Sequence, residues 1–249
     1  SAVNSINWAR VMAQIVYYVY AAVRLGAPDR EVAFAIPTGN FGNVFAAYAA
    51  RRMGLPIRRL VIGSNANDIL TRFFEADDMS IRTVQPTLSP SMDIQVSSNF
   101  ERLLFELYGR DGHAVAASMR EFRAEGKLIV GQKRLAAART EFSAARFSDA
   151  ETLAFIKEMR ERSGYIMDPH TAIGALAGRA FQEDGVAMVV AATAHPAKFG
   201  EAIQKATGNS PEIPARLAQV FKKEERFKVL PNNAQMVKAE VHQLVETLR

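Results

Sequence analysis

The apolar positions of the chain fall into short continuous runs, separated by longer stretches with helical spacing. Three short runs, at residues 32–36, 59–62 and 186–192, are mainly apolar and bounded by turn residues, which predicts buried strands. The first two flank a tight loop and a small-residue helix, an arrangement typical of a right-handed parallel βαβ unit. Because the run at 186–192 is the most apolar in the chain, we expect it to be a central strand.

Helical spacing of apolar residues accounts for most of the remaining chain. It predicts helices at residues 6–24, 44–53, 69–75, 99–108, 114–124, 135–145, 150–162, 172–183, 199–207, 214–221 and 234–248. Asn4 and Ser5 are suited to cap the first helix, and Ser148 with Glu151 forms a capping-box pattern before the helix at 150–162. The predicted fold class is therefore α/β, a twisted parallel sheet flanked by helices on both faces.

Composition narrows the range of functions. The 249 residues include no cysteine, which excludes disulfides and thiolate chemistry within them and fits a reducing compartment, the cytoplasm. No run of about eighteen apolar residues occurs, so we expect no membrane partner. The formal net charge of +5 is spread along helical stretches without an RNA-binding or helix-turn-helix signature. We therefore expect a solvated charged surface and no nucleic-acid partner.

A loop with two glycines joins the first predicted strand to the helix at 44–53. Its sequence is Gly39-Asn40-Phe41-Gly42-Asn43. Glycines allow a close approach of the backbone, and the following helix presents free N–H groups and a positive dipole end, which together suit a phosphate. It lacks both the P-loop ending and the dinucleotide-binding glycine pattern. A phosphate site and a plain tight turn both remain open from the pattern alone.

A second candidate segment follows the predicted strand at 186–192. It reads Thr193-Ala194-His195-Pro196-Ala197-Lys198. Open parallel sheets bind ligands at the carboxyl ends of their strands, which favours a site here. The alternative is a strand-to-helix turn in which Thr193 or His195 caps the helix.

Two further segments have capping as their simplest interpretation. They are Asp168-Pro169-His170-Thr171 and Asn4-Ser5-Ile6-Asn7. The four histidines show no paired metal-ligand spacing, and no serine lies in a nucleophile elbow. The sequence therefore predicts no metal site and no serine nucleophile.

Six segments, taken in their order along the chain, resemble the threonine synthase family. They are residues 4–18, with Gln14 and Tyr17-Tyr18 in a helix, followed by 37–43, 64–68, 89–94, 168–172 and 192–199. Each segment is moderately specific alone, and the resemblance runs over most of the chain. It implies a pyridoxal 5′-phosphate (PLP) enzyme of fold type II, related to tryptophan synthase β. It also implies conversion of O-phospho-L-homoserine and water to L-threonine and phosphate.

The resemblance implies roles for particular residues. The backbone amides of the loop would hold the PLP phosphate, and the Thr193 hydroxyl would face the pyridine nitrogen and leave it largely unprotonated. The implied cofactor-binding residues are Gly39, Asn40, Phe41, Gly42, Asn43 and Thr193. Residues implied to lie nearer the substrate are Ser91, Met92, Asp93 and His195.

One feature of the family is missing from the chain. The family binds PLP covalently through a lysine in a Phe-Lys-Asp-like motif upstream of the phosphate loop, and no such motif occurs here. Lys127, Lys133, Lys157 and Lys198 have other neighbours and follow the loop. We therefore expect residues 1–249 to be the C-terminal part of such an enzyme, mainly its large phosphate-binding domain. We also expect the chain alone to be inactive without the N-terminal region that carries the lysine.

Two other functions fit the same patterns. One is an α/β enzyme that binds a phosphorylated metabolite without PLP. The other is a non-catalytic regulatory or scaffold protein that retains the ligand-binding fold.

Overall fold

The computed structural model describes residues 4–220 and 223–247, apart from the side chain of Leu217. The chain divides into two compact units, Ser1–Pro211 and Glu212–Arg249. The sheet, the predicted phosphate loop and the other candidate segments all belong to the first unit.

The described part of the first unit contains nine α-helices and four strands. The helices are α1 (Trp8–Arg24), α2 (Gly42–Arg52), α3 (Ile69–Ala76), α4 (Phe100–Leu107), α5 (Gly112–Glu125), α6 (Gln132–Arg139), α7 (Asp149–Ser163), α8 (Pro169–Ala180) and α9 (Gly200–Thr207). The strands are β1 (Val32–Pro37), β2 (Ile57–Ser64), β3 (Phe142–Arg146) and β4 (Ala187–Val190). Short 3₁₀ helices span Pro90–Met92 and Pro196–Phe199. The second unit holds α10 (Ala215–Ala218) and α11 (Ala234–Thr247).

The four strands form one parallel sheet in the order β3-β2-β1-β4. In the register, Ile36 of β1 pairs with Ile62 of β2, and Val190 of β4 pairs with Ala35 on the other side of β1. The prediction that the three apolar runs are strands of one parallel sheet is confirmed. Their carboxyl ends therefore meet at one edge, where open parallel sheets bind ligands.

Helices cover both faces of the sheet, as predicted. Phe34 and Ile36 of β1 face the main core, which includes residues of α1, α2, α3 and α4. Ala35 of β1 and Val61 of β2 face the other side and pack against Ala177 of α8. Every residue of β1 is buried, since the strand lies between two neighbours and under helices on both sides.

Two predictions about the strands were wrong. The run at 186–192 forms β4, which lies at an edge of the four-stranded sheet and is partly exposed, so it is not a central strand. The helix predicted at 135–145 ends at Arg139, and β3 follows it. Alanines favour a helix there, but burial of Phe142 and Ala144 on the sheet and pairing with β2 outweigh that preference.

The helix ends confirm one predicted cap and correct another. The Ser148–Glu151 capping box is present at the start of α7. The first helix begins at Trp8, and its cap is Asn7, whose side chain accepts a hydrogen bond from the N–H of Ala9, so Asn4 and Ser5 are not the cap. Within the described part of the helix predicted at 214–221, the α-helix is Ala215–Ala218, and residues 221 and 248, at the ends of two predicted helices, lie outside the described residues.

Candidate active site

A cavity of about 800 Å³ opens at the carboxyl ends of β1 and β4. One face of α1, the loop after β1, residues 91 and 92, and the segment after β4 form its walls. The predicted residues Gly39, Asn40, Phe41, Gly42, Asn43, Ser91, Met92 and Thr193 all line it. The fold therefore brings together three candidate segments that lie far apart in the sequence.

The loop after β1 presents a row of free amides to the cavity. Among the described residues, no protein group accepts a hydrogen bond from the backbone N–H groups of residues 39–44. The carbonyls of the same loop are occupied, since Gly39 O accepts from Ser97 Oγ at 2.7 Å and Asn40 O accepts from Asn99 N at 3.1 Å. With the N-terminus of α2 beside them, these donors can bind a phosphate-sized anion.

Phe41 gives the loop its shape. Its φ of 63° places it in the left-handed region, which is uncommon for a residue with a large side chain. The ring is buried and makes an edge-to-face contact with Phe100, with centroids 5.2 Å apart. The aromatic core thus holds the side chain while the backbone turns into α2, and this packing stabilises the strained backbone conformation of Phe41.

The two loop glycines are required by contacts within the protein. A Cβ on Gly39 would lie 2.7 Å from Ser91 O and 3.2 Å from Met92 Cα. A Cβ on Gly42 would overlap the side chain of Ser5. The absence of both Cβ atoms lets two other segments pack against the loop; that it also admits a ligand stays a prediction.

Asn43 is oriented by a pair of phenols from α1. Tyr17 Oη and Tyr18 Oη both donate hydrogen bonds to Asn43 Oδ1, the second at 2.8 Å. Burial raises the pKa of Tyr17 and raises that of Tyr18 well above its ordinary value, so both phenols remain protonated donors. The family resemblance includes these tyrosines but implies no role for them.

Thr193 lines the cavity in the segment after β4. Its N–H donates to Thr171 Oγ1 at 3.2 Å, while its own hydroxyl has no partner among the described residues. The side chain is exposed in the cavity and available to a ligand.

His170 also lines the cavity, and the sequence did not single it out from its helix-start segment. The predicted capping is present, since Asp168 caps α8 and accepts from His170 N. In addition, the His170 ring lies 4.8 Å from the Phe199 ring, and its Nε2 is 3.3 Å from Ser91 N. A histidine beside a helix cap gives no sequence signal for such a contact.

Two of the residues predicted near the substrate do not line the cavity. The carboxylate of Asp93 accepts hydrogen bonds from Asn65 Nδ2, Asn67 Nδ2, and both N and Oγ1 of Thr87, at 2.7–3.0 Å. The exposed His195 caps the helix Pro196–Phe199 by accepting from Ala197 N at 3.1 Å. Asp93 therefore holds the 87–93 loop, and His195 follows the capping alternative.

The charge of the cavity wall is positive. Arg10 and Lys198 line it, and none of the described lining residues is acidic. Gln14 also lines it, and its Oε1 is buried without a hydrogen-bond partner among the described residues. The free amides and the cations of the walls suit an anionic ligand. The unpaired Gln14 Oε1 is an acceptor, so it suits a hydrogen-bond donor of the same ligand.

Comparison with known proteins finds that the chain is similar to threonine synthases. A family model described as "Threonine synthase, C-terminal" matches residues 171–241. The chain is 54% identical over 244 residues to the threonine synthase of Pseudomonas aeruginosa, which covers 97% of this chain and 52% of that protein. It is 40% identical to the threonine synthase of Corynebacterium glutamicum, over 95% of this chain and 51% of that protein.

Solved structures agree. The PLP-bound threonine synthase from Brucella melitensis superposes with a TM-score of 0.92 at 51% identity, covering 98% of this chain and 52% of that one. The yeast threonine synthase gives a TM-score of 0.88 at 34% identity, covering 99% and 54%. The predicted fold class, that of the fold-type II PLP enzymes, is confirmed.

The chain spans about half the length of these relatives. Within the described residues no helix is both long and apolar enough to cross a membrane. The matching family model, the sequence identity over nearly the whole chain and the shared fold agree with one another. The chain therefore belongs to the threonine synthase family.

Proposed function

We propose that this chain is the C-terminal part of a PLP-dependent threonine synthase that acts in the last step of threonine biosynthesis. The reaction is the conversion of O-phospho-L-homoserine and water to L-threonine and phosphate. The observation that carries the proposal is the row of free amides at residues 39–43, which line the cavity in a chain 51% identical to a PLP-bound threonine synthase.

The residues present fit PLP. The amides of residues 39–43, which include the first residues of α2, would bind its phosphate, since they are donors without protein acceptors among the described residues. The Thr193 hydroxyl, which lines the cavity and has no partner among the described residues, would hydrogen-bond the pyridine nitrogen. Bound there, PLP supplies an electron sink for charge that develops at the substrate α-carbon.

The substrate carries a phosphate and a carboxylate, and the cavity offers cations without acids. Lys198 and Arg10 would attract those groups and balance the charge of the departing phosphate. Ser91 and Met92 line the cavity and are the proposed substrate contacts of their loop. Asp93 would act by holding that loop through its four hydrogen bonds. His195 would act by shaping the turn after Thr193.

The rest of the enzyme would cover an exposed apolar stripe on α1. Met12, Val16, Tyr20 and Val23 recur at helical spacing along one side of that helix and are 51–66% exposed. Exposed apolar stripes of this kind mark interfaces. We propose that a further region of the enzyme, which carries the covalent lysine, packs here and completes the cavity. A cytoplasmic location is part of the proposal, because the chain has no cysteine.

The proposal is tested on the purified full-length enzyme that contains this chain. After PLP is removed by dialysis against a carbonyl reagent, O-phospho-L-homoserine should yield neither threonine nor phosphate. Added PLP should restore both products in equal amounts. An enzyme that binds PLP but never forms threonine would contradict the proposal and favour a regulatory homologue. Full activity without PLP would contradict it in favour of a phosphometabolite enzyme.

A further inference from the structure

Asp168 lies at the centre of a buried hydrogen-bond network behind the cavity. Its side chain is completely inaccessible to solvent and caps α8. Oδ1 accepts from His170 N at 3.0 Å and lies 2.9 Å from His170 Nδ1, while Oδ2 accepts from Thr171 Oγ1. Both carboxylate oxygens are therefore occupied by residues of the first turn of the same helix.

The first branch of the network reaches the 89–93 loop. Burial opposes ionisation of Asp168, but hydrogen bonds from His170 and Thr171 hold the pKa of its carboxyl below the usual value. An ionised carboxylate only accepts, so His170 Nδ1 donates to it and Nε2 is left as an acceptor. That acceptor faces Ser91 N at 3.3 Å. One side of Asp168 thus fixes the wall that contains Ser91 and Met92.

The second branch reaches the segment after β4. Because the Thr171 hydroxyl donates to Asp168, its oxygen is left to accept from Thr193 N at 3.2 Å. This is a tertiary contact, since residues 171 and 193 belong to different elements. The other side of Asp168 thus fixes the wall that contains Thr193.

We propose that Asp168 is a positioning residue that sets the spacing between the Ser91 wall and the Thr193 wall of the cavity. The expected effects on binding rest on the proposed function, in which the Ser91 wall would hold the substrate and the Thr193 wall would hold PLP. Each branch is a chain of hydrogen bonds with a defined donor direction. Loss of one link leaves a buried donor or acceptor unpaired and releases one wall.

The two branches are separated by substitutions that keep side-chain shape. In the full-length enzyme, Thr171→Val removes the hydroxyl, and we expect the dissociation constant for PLP to rise about tenfold with little change in KM for O-phospho-L-homoserine. His170→Phe keeps the ring contact with Phe199 but cuts the link to Ser91, so KM should rise about tenfold with little change in PLP affinity. Asp168→Asn should raise both constants.

Controls distinguish positioning from general destabilisation. Thr171→Ser retains the hydroxyl and should bind PLP as the wild type does. Thr152→Val makes the same change at a buried threonine of α7, whose hydroxyl donates to Ser148 O at 2.9 Å, and Thr152 does not line the cavity. It should lower the melting temperature without changing the PLP dissociation constant.

A second measurement needs no ligand. Amide hydrogen exchange of the PLP-free enzyme should be faster at both Ser91 and Thr193 in Asp168→Asn, faster at Thr193 alone in Thr171→Val, and unchanged at either in Thr152→Val. This pattern would support the inference even if the wild type failed to bind PLP, a result that would overturn the proposed function alone. Unchanged exchange at both amides in Asp168→Asn would overturn the inference. So would equal losses of PLP affinity in Thr171→Val and Thr152→Val.

Discussion

Ser5 lies in the space that a side chain on Gly42 would fill. Ser5 is held there by Arg102, whose Nη2 donates to Ser5 O at 3.2 Å and to Ile6 O at 3.1 Å. The segment before α1 therefore closes over the first turn of α2, next to the free amides of the loop. This contact ties the two-glycine loop to residues 4–7, for which the sequence offered helix capping and a place in the family resemblance but no contact with the loop.

Gly42→Ala should weaken PLP binding in the full-length enzyme. The added Cβ displaces Ser5 or the loop, and overpacking of this kind costs about 1–3 kcal/mol. The dissociation constant, measured by equilibrium dialysis, should therefore rise about tenfold or more. Gly42→Val should be worse, because its β-branched side chain is larger.

A matched control is Gly112→Ala. Gly112 is the first residue of α5, as Gly42 is of α2, and the nearest atom to its Cβ would be 4.0 Å away. This variant should bind PLP normally. Ser5→Gly in the Gly42→Ala background should restore much of the affinity, because it empties the occupied space. Wild-type affinity in Gly42→Ala would show that the loop does not hold the phosphate.

Thr193 should control the protonation of the pyridine nitrogen. Thr193→Val should weaken PLP binding about tenfold because it removes the hydroxyl donor, and Thr193→Ser should bind PLP as the wild type does. Thr193→Asp places a carboxylate there, which favours a protonated nitrogen and should shift the products from threonine toward side products. Product ratios are measured by chromatography after complete conversion. Unchanged ratios in Thr193→Asp would count against the assigned role.

Asp78 should stabilise the fold in a pH-dependent way. Burial opposes its ionisation, but hydrogen bonds from Ser80 and Arg72 lower the pKa of its carboxyl to about 2 from 3.8. Because the folded-state pKa is depressed, the stabilisation is complete above the unfolded value and is lost as pH falls toward about 2. Solvent screens the partly exposed Asp78–Arg72 pair. We therefore expect the ionised carboxylate to contribute about 1 kcal/mol to the free energy of unfolding at neutral pH.

The measurement is the difference in melting temperature between the wild type and Asp78→Asn across this pH range. The wild type should melt higher at neutral pH, and the difference should shrink as pH falls through 3.8 toward about 2. Asp184→Asn is the control, because Asp184 is an exposed carboxylate without a hydrogen bond among the described residues. A difference independent of pH would contradict the role of the ionised carboxylate.

The sequence predicted the elements whose local pattern and tertiary position agree. The runs ending at Ile36 and Ile62 are apolar and buried on both faces, and a two-glycine loop follows the first. The sequence was therefore sufficient to predict β1, β2 and the candidate site. Phe142 illustrates the opposite case. It follows an alanine-rich helix without a turn signal, and only its pairing opposite Leu60 makes it part of a strand.

The order of the strands and the contacts between segments are tertiary properties. Nothing in the apolar run of β4 indicates that it lies at the edge of the described sheet. His170 and Thr171 were assigned to a helix start, which is correct, but their links to Ser91 and Thr193 depend on how α8 packs against the sheet. Side-chain roles of this kind have no periodic signature in the sequence.

The chain by itself should form no threonine. It contains the loop proposed to bind the PLP phosphate but no lysine in the family's motif, and the apolar stripe on α1 is exposed. Purified residues 1–249 incubated with PLP and O-phospho-L-homoserine should release neither product, whereas the full-length enzyme should release both. Threonine formation at a rate comparable to that of the full-length enzyme would contradict this prediction.

The location of the covalent lysine is the most direct test of the account. The PLP-loaded full-length enzyme is reduced with borohydride, and its modified lysines are mapped by mass spectrometry. We predict stoichiometric modification of one lysine outside residues 1–249, with only scattered low labelling within them. Lys198 is the lysine that lines the described cavity, with its Nζ 5.6 Å from the Phe199 ring centroid. Stoichiometric modification of Lys198 would contradict the account, because this chain would then contain the whole covalent site.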